Sequence, residues 1–233
     1  MNIGFYGHSA ASWYGNSISF IDRVKTQLDC NIVNIGVAQG CEERILFDLK
    51  KTKKLDIAVI FHQRGPKYMF LPKCNRDLSM DSVPENKAKI LWSESGDIDD
   101  NNIEHFESEF FSYGKIKEVF QTPENFIQSM KTYKEYFYHP DLQRNRFESA
   151  TYMVDAYCLA RVPKVIHISD YDYKLVMPWF SFKSGIIADD IQQLVNDNYI
   201  GGNPSLPNNI TIEGNKLVAD KIIETIYKNN WHV

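Results

Sequence analysis

At 233 residues, with 43% hydrophobic and 13% aromatic content, the chain is long and apolar enough for one large domain with a substantial core. Its net charge of −4 gives no reason to expect nucleic acid or an anionic membrane surface as a partner. The four cysteines (Cys30, Cys41, Cys74, Cys158) are scattered, with no C-x-x-C pair and no His at ligand spacing, which argues against a zinc site or a disulfide framework. The first residues enter an apolar run without a basic leader, and no run reaches transmembrane length. The expectation is a soluble, cytoplasmic protein with reduced thiols.

Residues Ile3 to Tyr6 form an apolar run that ends in Gly7-His8-Ser9, and an amphipathic run follows from about Ile18 to Leu28. This pattern predicts a strand, a tight turn carrying a serine, and a helix. Asn31 to Gly36 predicts a second strand, and Glu42 to Lys53 a helix with apolar Ile45, Leu46 and Leu49 at helical spacing. Leu55 to His62 is almost continuously apolar, as in a strand covered on both faces of a parallel sheet. Such β-α-β-α-β openings wind right-handed into a parallel sheet.

From Gln63 to Pro84 the regular pattern stops, punctuated by Gly65-Pro66, Pro72 and Asn75. Lys89 to Trp92 predicts a short strand, and residues 97–102 an acidic loop. An aromatic stretch then leads into two helices, from Pro123 to Tyr138 (Thr122 as N-cap) and from Pro140 to about Ala160. The sheet returns at Lys164 to Ile168. Another aromatic stretch, 171–182, precedes a helix from Ala188 to Asn196. A Gly/Pro/Asn-rich loop, 201–211, opens a last helix from Ile212 to Lys228.

Three loops would meet at the carboxyl edge of this sheet, where open α/β folds bind ligands: Gly7-His8-Ser9, Asn34 to Gly40, and His62-Gln63-Arg64. The loop before the last helix can join them. A serine in such a turn either caps the helix behind it or serves as a nucleophile. In this order the blocks resemble the SGNH (GDSL-type) hydrolase superfamily of esterases, lipases and O-acyl transfer enzymes. The resemblance covers about residues 1–66 and 163–230. It implies that Ser9 is the nucleophile, and that the N–H groups of Ser9 and Gly36 face a developing oxyanion. Gly40 is an alternative donor, because the glycine spacing is one residue longer than the usual form. Each such donor is typically worth about 2.7–4 kcal/mol in the transition state.

The chain also departs from the family pattern. His8 replaces the usual Asp, at a position that orders the loop. His62-Gln63-Arg64-Gly65 replaces Gly-x-Asn-Asp; here Gln63 can stand in for the Asn donor, and Arg64 can bind a carboxylate or phosphate in bidentate fashion. In the last block the catalytic His position, five residues before Gly214, is Asn209, next to Asn208, and the Asp position is Leu206. An amide has no basic lone pair with which to take the serine proton. Three accounts fit Asn209: an engineered change, a natural non-catalytic relative, or another histidine as base, with His8, His62 and His167 nearest the active edge.

The fold expected is a three-layer α/β/α sandwich with a parallel, flavodoxin-like sheet of about five strands, of SGNH-hydrolase type. The chain is read as one domain over 1–233 with a mainly helical insert at about 97–160. The function the resemblance implies is ester hydrolysis or acyl transfer through Ser9, Gly36, Gln63 and position 209. His8, Gly40, His62, Arg64 and Asn208 would line the substrate site. The substrate would be a small-molecule or carbohydrate ester, with no metal, cofactor, nucleic acid or membrane partner. Two rivals are a non-catalytic carbohydrate- or acyl-ligand-binding protein on the same fold, and a flavodoxin-like nucleotide or phosphate binder using Ser9, Ser12 and backbone N–H groups as an anion nest.

Overall fold

The computed structural model describes residues 1–11, 18–36, 42–62, 67–69, 90–93, 139–169, 177, 179–199 and 210–232, with Gln128, Thr132 and Tyr136. At Ser9 it describes the backbone alone. The chain divides into two compact units, Met1–Arg64 with Phe147–Val233, and Gly65–Arg146.

The first unit is α/β. Five parallel strands, β1 (Asn2–Gly7), β2 (Asn31–Asn34), β3 (Ile57–His62), β6 (Lys164–Ser169) and β7 (Ile186–Ile187), lie in the order β2-β1-β3-β6-β7. The helices are α1 (Phe20–Leu28), α2 (Glu42–Lys51), α3 (Pro140–Arg161), which begins in the second unit, α4 (Asp189–Asp197) and α5 (Ile212–Lys228). Four of the predicted helices thus lie within a residue or two of their expected ends, and α1 starts two residues later than its apolar pattern. Ser19 sets that start: its Oγ accepts from the Asp22 N–H at 3.2 Å and donates to the Asp22 carboxylate at 2.7 Å. Thr211 caps α5 in the same way, accepting from the Gly214 N–H at 2.9 Å.

The fifth strand is not the one the sequence suggests. The segment around 89–92 forms β5 (Ile90–Ser93), which pairs antiparallel with β4 (Lys67–Met69) in a separate two-stranded sheet. The edge place beside β6 is taken by the two-residue β7, too short to show a period. The acidic loop at 97–102 lies outside the described residues. So do most of the expected 123–138 helix, of which Gln128, Thr132 and Tyr136 are helical, and the loop at 201–209.

Strand order explains the layers. The chain leaves β1 toward β2 on one side and then returns past β1 to β3 on the other. Right-handed crossovers therefore put α1 and α2 on opposite faces. Period-two alternation fills both. Val59 and Phe61 join Ile3, Phe5, Phe20, Ile166, Val218 and Ile222 against α1, α4 and α5, while Ala58 and Ile60 join Tyr6, Ile45, Leu49, Val154 and Val165 against α2 and α3. In the first core, Phe20 packs edge-on to Phe5 at 5.8 Å and stacks on Phe61 at 5.3 Å. Cys158 belongs to the second core, and burial, aided by the Asp155 carboxylate, pushes its thiol up to about 12. It stays protonated and shielded, so a thiol reagent at pH 8 is expected to modify Cys158 only as fast as the protein unfolds; modification within the mixing time would contradict its placement.

Candidate active site

β1 and β3 are neighbours whose outgoing connections part to opposite faces. Their carboxyl ends are therefore the switch point of the sheet, where a crevice forms. Gly7 closes β1 at φ 129°, a backbone that side chains rarely adopt, and a Cβ there would lie 2.3 Å from the Phe61 carbonyl oxygen. Only glycine lets the chain turn so close against β3. Ser9 then opens a 3-10 turn, Ser9–Ala11, closed by the Ala11 N–H donating to the His8 carbonyl at 2.9 Å. This puts Ser9 two residues past the end of β1, at the crevice edge.

His8 turns inward. It is buried, edge-on to Phe61 at 6.4 Å, and its Nδ1 takes the Ala10 N–H at a long 3.5 Å. Gly36 does come to this turn, since a Cβ on it would meet Ala11 and the Gly7 carbonyl at 2.8 Å. Its N–H, however, is donated to the Ala11 carbonyl at 2.8 Å, not toward an oxyanion. In this structure Gly36 is therefore a close-packing residue that pins β2's exit against the 3-10 turn, aided by Asn34 Nδ2 donating to the Phe5 carbonyl at 2.7 Å.

Gly40, Gln63, Arg64, Asn208 and Asn209 lie outside the described residues. The residues that follow Asn209 are placed, however. Buried Asn215 on α5 donates to the Ile210 carbonyl at 3.0 Å, and its Oδ1 accepts the Phe20 N–H at the start of α1 at 2.9 Å. One amide thus ties the end of the pre-helix loop to the helix that follows the Ser9 turn.

The most developed polar feature was only partly foreseen. His62 ends β3, and period two turns it to the α2 and α3 face. Its Nδ1 lies 3.1 Å from Glu42 Oε2, at the first residue of α2, where the helix dipole favours a carboxylate. Its Nε2 lies 2.8 Å from Nδ1 of His167 on β6. His167 Nε2 lies 2.9 Å from Ser184 Oγ, which donates to Asp155 Oδ1 of α3 at 2.6 Å. Asp155 also accepts the N–H groups of Lys183 and Ser184, both at 2.9 Å. All five residues are buried, and Phe182 stacks on the His167 ring at 4.1 Å. Burial, then neighbouring His62, holds His167 well below the usual imidazole range, against a hydrogen bond at Ser184 that acts the other way.

Both strand-end histidines are thus packed and hydrogen-bonded to each other, one of the roles their places at the strand ends allow. Each has a partner for both ring nitrogens inside the array. Glu42, Asp155 and Ser184 were not singled out from sequence. The available signal was two histidines in otherwise apolar strands, since buried polar groups need partners. Among the described residues, no group of three or more His, Cys, Asp or Glu side chains could hold a metal ion, and no helix is long and apolar enough to cross a membrane.

No family model matches the chain, and no curated protein does. A solved structure, a member of the lipolytic protein G-D-S-L family from Veillonella parvula DSM 2008, is similar over 96% of this chain and 97% of its own, at 12% identity and a TM-score of 0.32. A likeness at that score carries no argument about chemistry, which rests on the residues above.

Proposed function

We propose that the chain is an SGNH-type scaffold for serine-dependent ester hydrolysis or acyl transfer, with Ser9 in the nucleophile's place. The observation that carries this reading is the position of Ser9, first in a 3-10 turn past the carboxyl end of β1, at the switch point. The tie from Phe20 through Asn215 to Ile210 supports the approach of position 209 to the same edge. In this reading the N–H of Ser9 and the amide of Gln63 serve the oxyanion. Gly36 shapes the turn, giving its N–H to the Ala11 carbonyl and not to the oxyanion.

As the sequence stands, Asn209 cannot accept the serine proton, and His62 and His167 are committed to each other. That commitment favours the second reading as well, a non-catalytic protein that binds a carbohydrate or acylated ligand at this edge. Asn209→His decides between them. With short-chain chromogenic acyl esters, that variant is expected to turn over at least about 100-fold faster than the parent chain, as a general base contributes. Adding Ser9→Ala should abolish the gain. Equal silence of parent and variant over a panel of acyl lengths would reject the hydrolase reading.

A further inference from the structure

We infer that Glu42, His62, His167, Ser184 and Asp155 form one buried proton-holding array that keeps a single proton beyond two neutral imidazoles, making the stability of this sheet edge depend on pH around neutrality. The inference does not depend on the role given to Ser9. It follows from counting protons. The five groups are joined by four links in series: Glu42–His62, His62–His167, His167–Ser184 and Ser184–Asp155. Each link needs one hydrogen. Two ionised carboxylates, two neutral imidazoles and one hydroxyl supply three. With three, one buried link would set two lone pairs against each other, the arrangement that buried polar groups avoid.

A fourth proton satisfies all four links with every donor pointing the right way. His62, protonated on both nitrogens, donates to Glu42 and to His167 Nδ1. His167, protonated on Nε2 alone, donates to Ser184, and Ser184 donates to Asp155. The proton belongs on an imidazole because imidazole is more basic than a carboxylate by about two pKa units. The short His62 to His167 distance and the carboxylate at Nδ1 fit an imidazolium at His62. Burial first, and then the neighbouring His62 ring, lower the proton affinity of His167, which keeps it the neutral member of the pair. The Ser184–His167 contact is therefore not a nucleophile–base couple, since the serine hydrogen is given to Asp155.

Arg44 and Asp48 on α2 pair with each other at 2.8 Å, Lys183 Nζ donates to Ser181, and Cys158 on α3 stays a thiol beside Asp155. The sign then follows on both sides of neutrality. Above about pH 6.5 the unfolded histidines are neutral while the folded array keeps one proton, so stability falls as pH rises. Below about pH 6.5 both histidines bind protons when unfolded while folded His167 does not, so stability also falls as pH drops. Each limb changes the unfolding equilibrium constant about tenfold per pH unit, for one proton.

The test uses the intact chain labelled with ¹⁵N at histidine. Near pH 6.5, three slowly exchanging ring N–H signals are expected from His62 and His167, two of them on one ring, with His8→Gln removing any signal of His8. Only two such signals, one per ring, would overturn the inference. Denaturant unfolding from pH 5 to 8 supplies the second readout, ending below the ordinary thiol pKa of about 8.5. A maximum near pH 6.5 is expected. A stability flat from pH 6.5 to 8 would also overturn it, and neither measurement requires a variant of the array to fold.

Discussion

Asp155→Ala is expected to lower stability by about 3–5 kcal/mol, the range for breaking a buried charged network by deleting one member. The carboxylate is the acceptor on which a whole segment hangs. It takes the Lys183 and Ser184 N–H groups, each at 2.9 Å, and the Ser184 hydroxyl at 2.6 Å. Without it the Ser184 N–H and hydroxyl remain buried with no acceptor. Each orphaned group costs about 1–3 kcal/mol. Ser184 in turn loses its hold on His167, and the segment that leads into β7 loses its anchor to α3. Denaturant unfolding measures the loss, and a change under about 1 kcal/mol would show that the segment is held by other means. Asp155→Asn keeps one oxygen acceptor and should fall between the two.

Gly7→Ala should cost about 3 kcal/mol or more, for a different reason. A residue forced into a sparsely populated backbone region costs about 1–3 kcal/mol. The new methyl would also lie 2.3 Å from the backbone oxygen of Phe61. Backbone in the middle of a parallel sheet cannot swing aside as a side-chain end can, so overpacking adds about 1–3 kcal/mol. Moving the turn would move the Ser9 backbone with it. A soluble Gly7→Ala protein with unchanged thermal unfolding would contradict the geometry at the switch point.

Gly185→Ala offers a parallel case. Gly185 has φ 67°, and a Cβ there would lie 2.1 Å from the Val165 carbonyl oxygen. The same two causes act against β6 instead of β3.

Much of the scaffold was legible along the chain. Strands β1, β3 and β6 are apolar almost throughout because both of their faces are covered, and that requirement writes itself into consecutive residues. Caps are equally local, as Ser19 with Asp22 and Thr211 with Gly214 show. The place of Ser9 was legible for the same reason, since a strand, a glycine turn and a serine are neighbours in sequence.

The partners were not legible. Gly36 could be read as a glycine near the site, but the acceptor for its N–H, Ala11, is 25 positions back and fixed only by how β2 lies against β1. The array is more distant still. His62 and His167 are 105 residues apart and meet because β3 pairs with β6 in a register that sets His62 beside Ser169 and His167 beside Ile60. β7, with two residues, carries no pattern of its own and exists as a strand because β6 offers it an edge.

The sequence by itself determined the α/β class, the strands β1, β2, β3 and β6 with the helices α1 to α5, and the serine after the first strand, because covering a strand and starting a helix are demands on adjacent residues. Tertiary structure decided that the two strand-end histidines meet each other. A histidine's role depends on what faces its two nitrogens, and those neighbours come from α2, α3, β6 and the segment before β7.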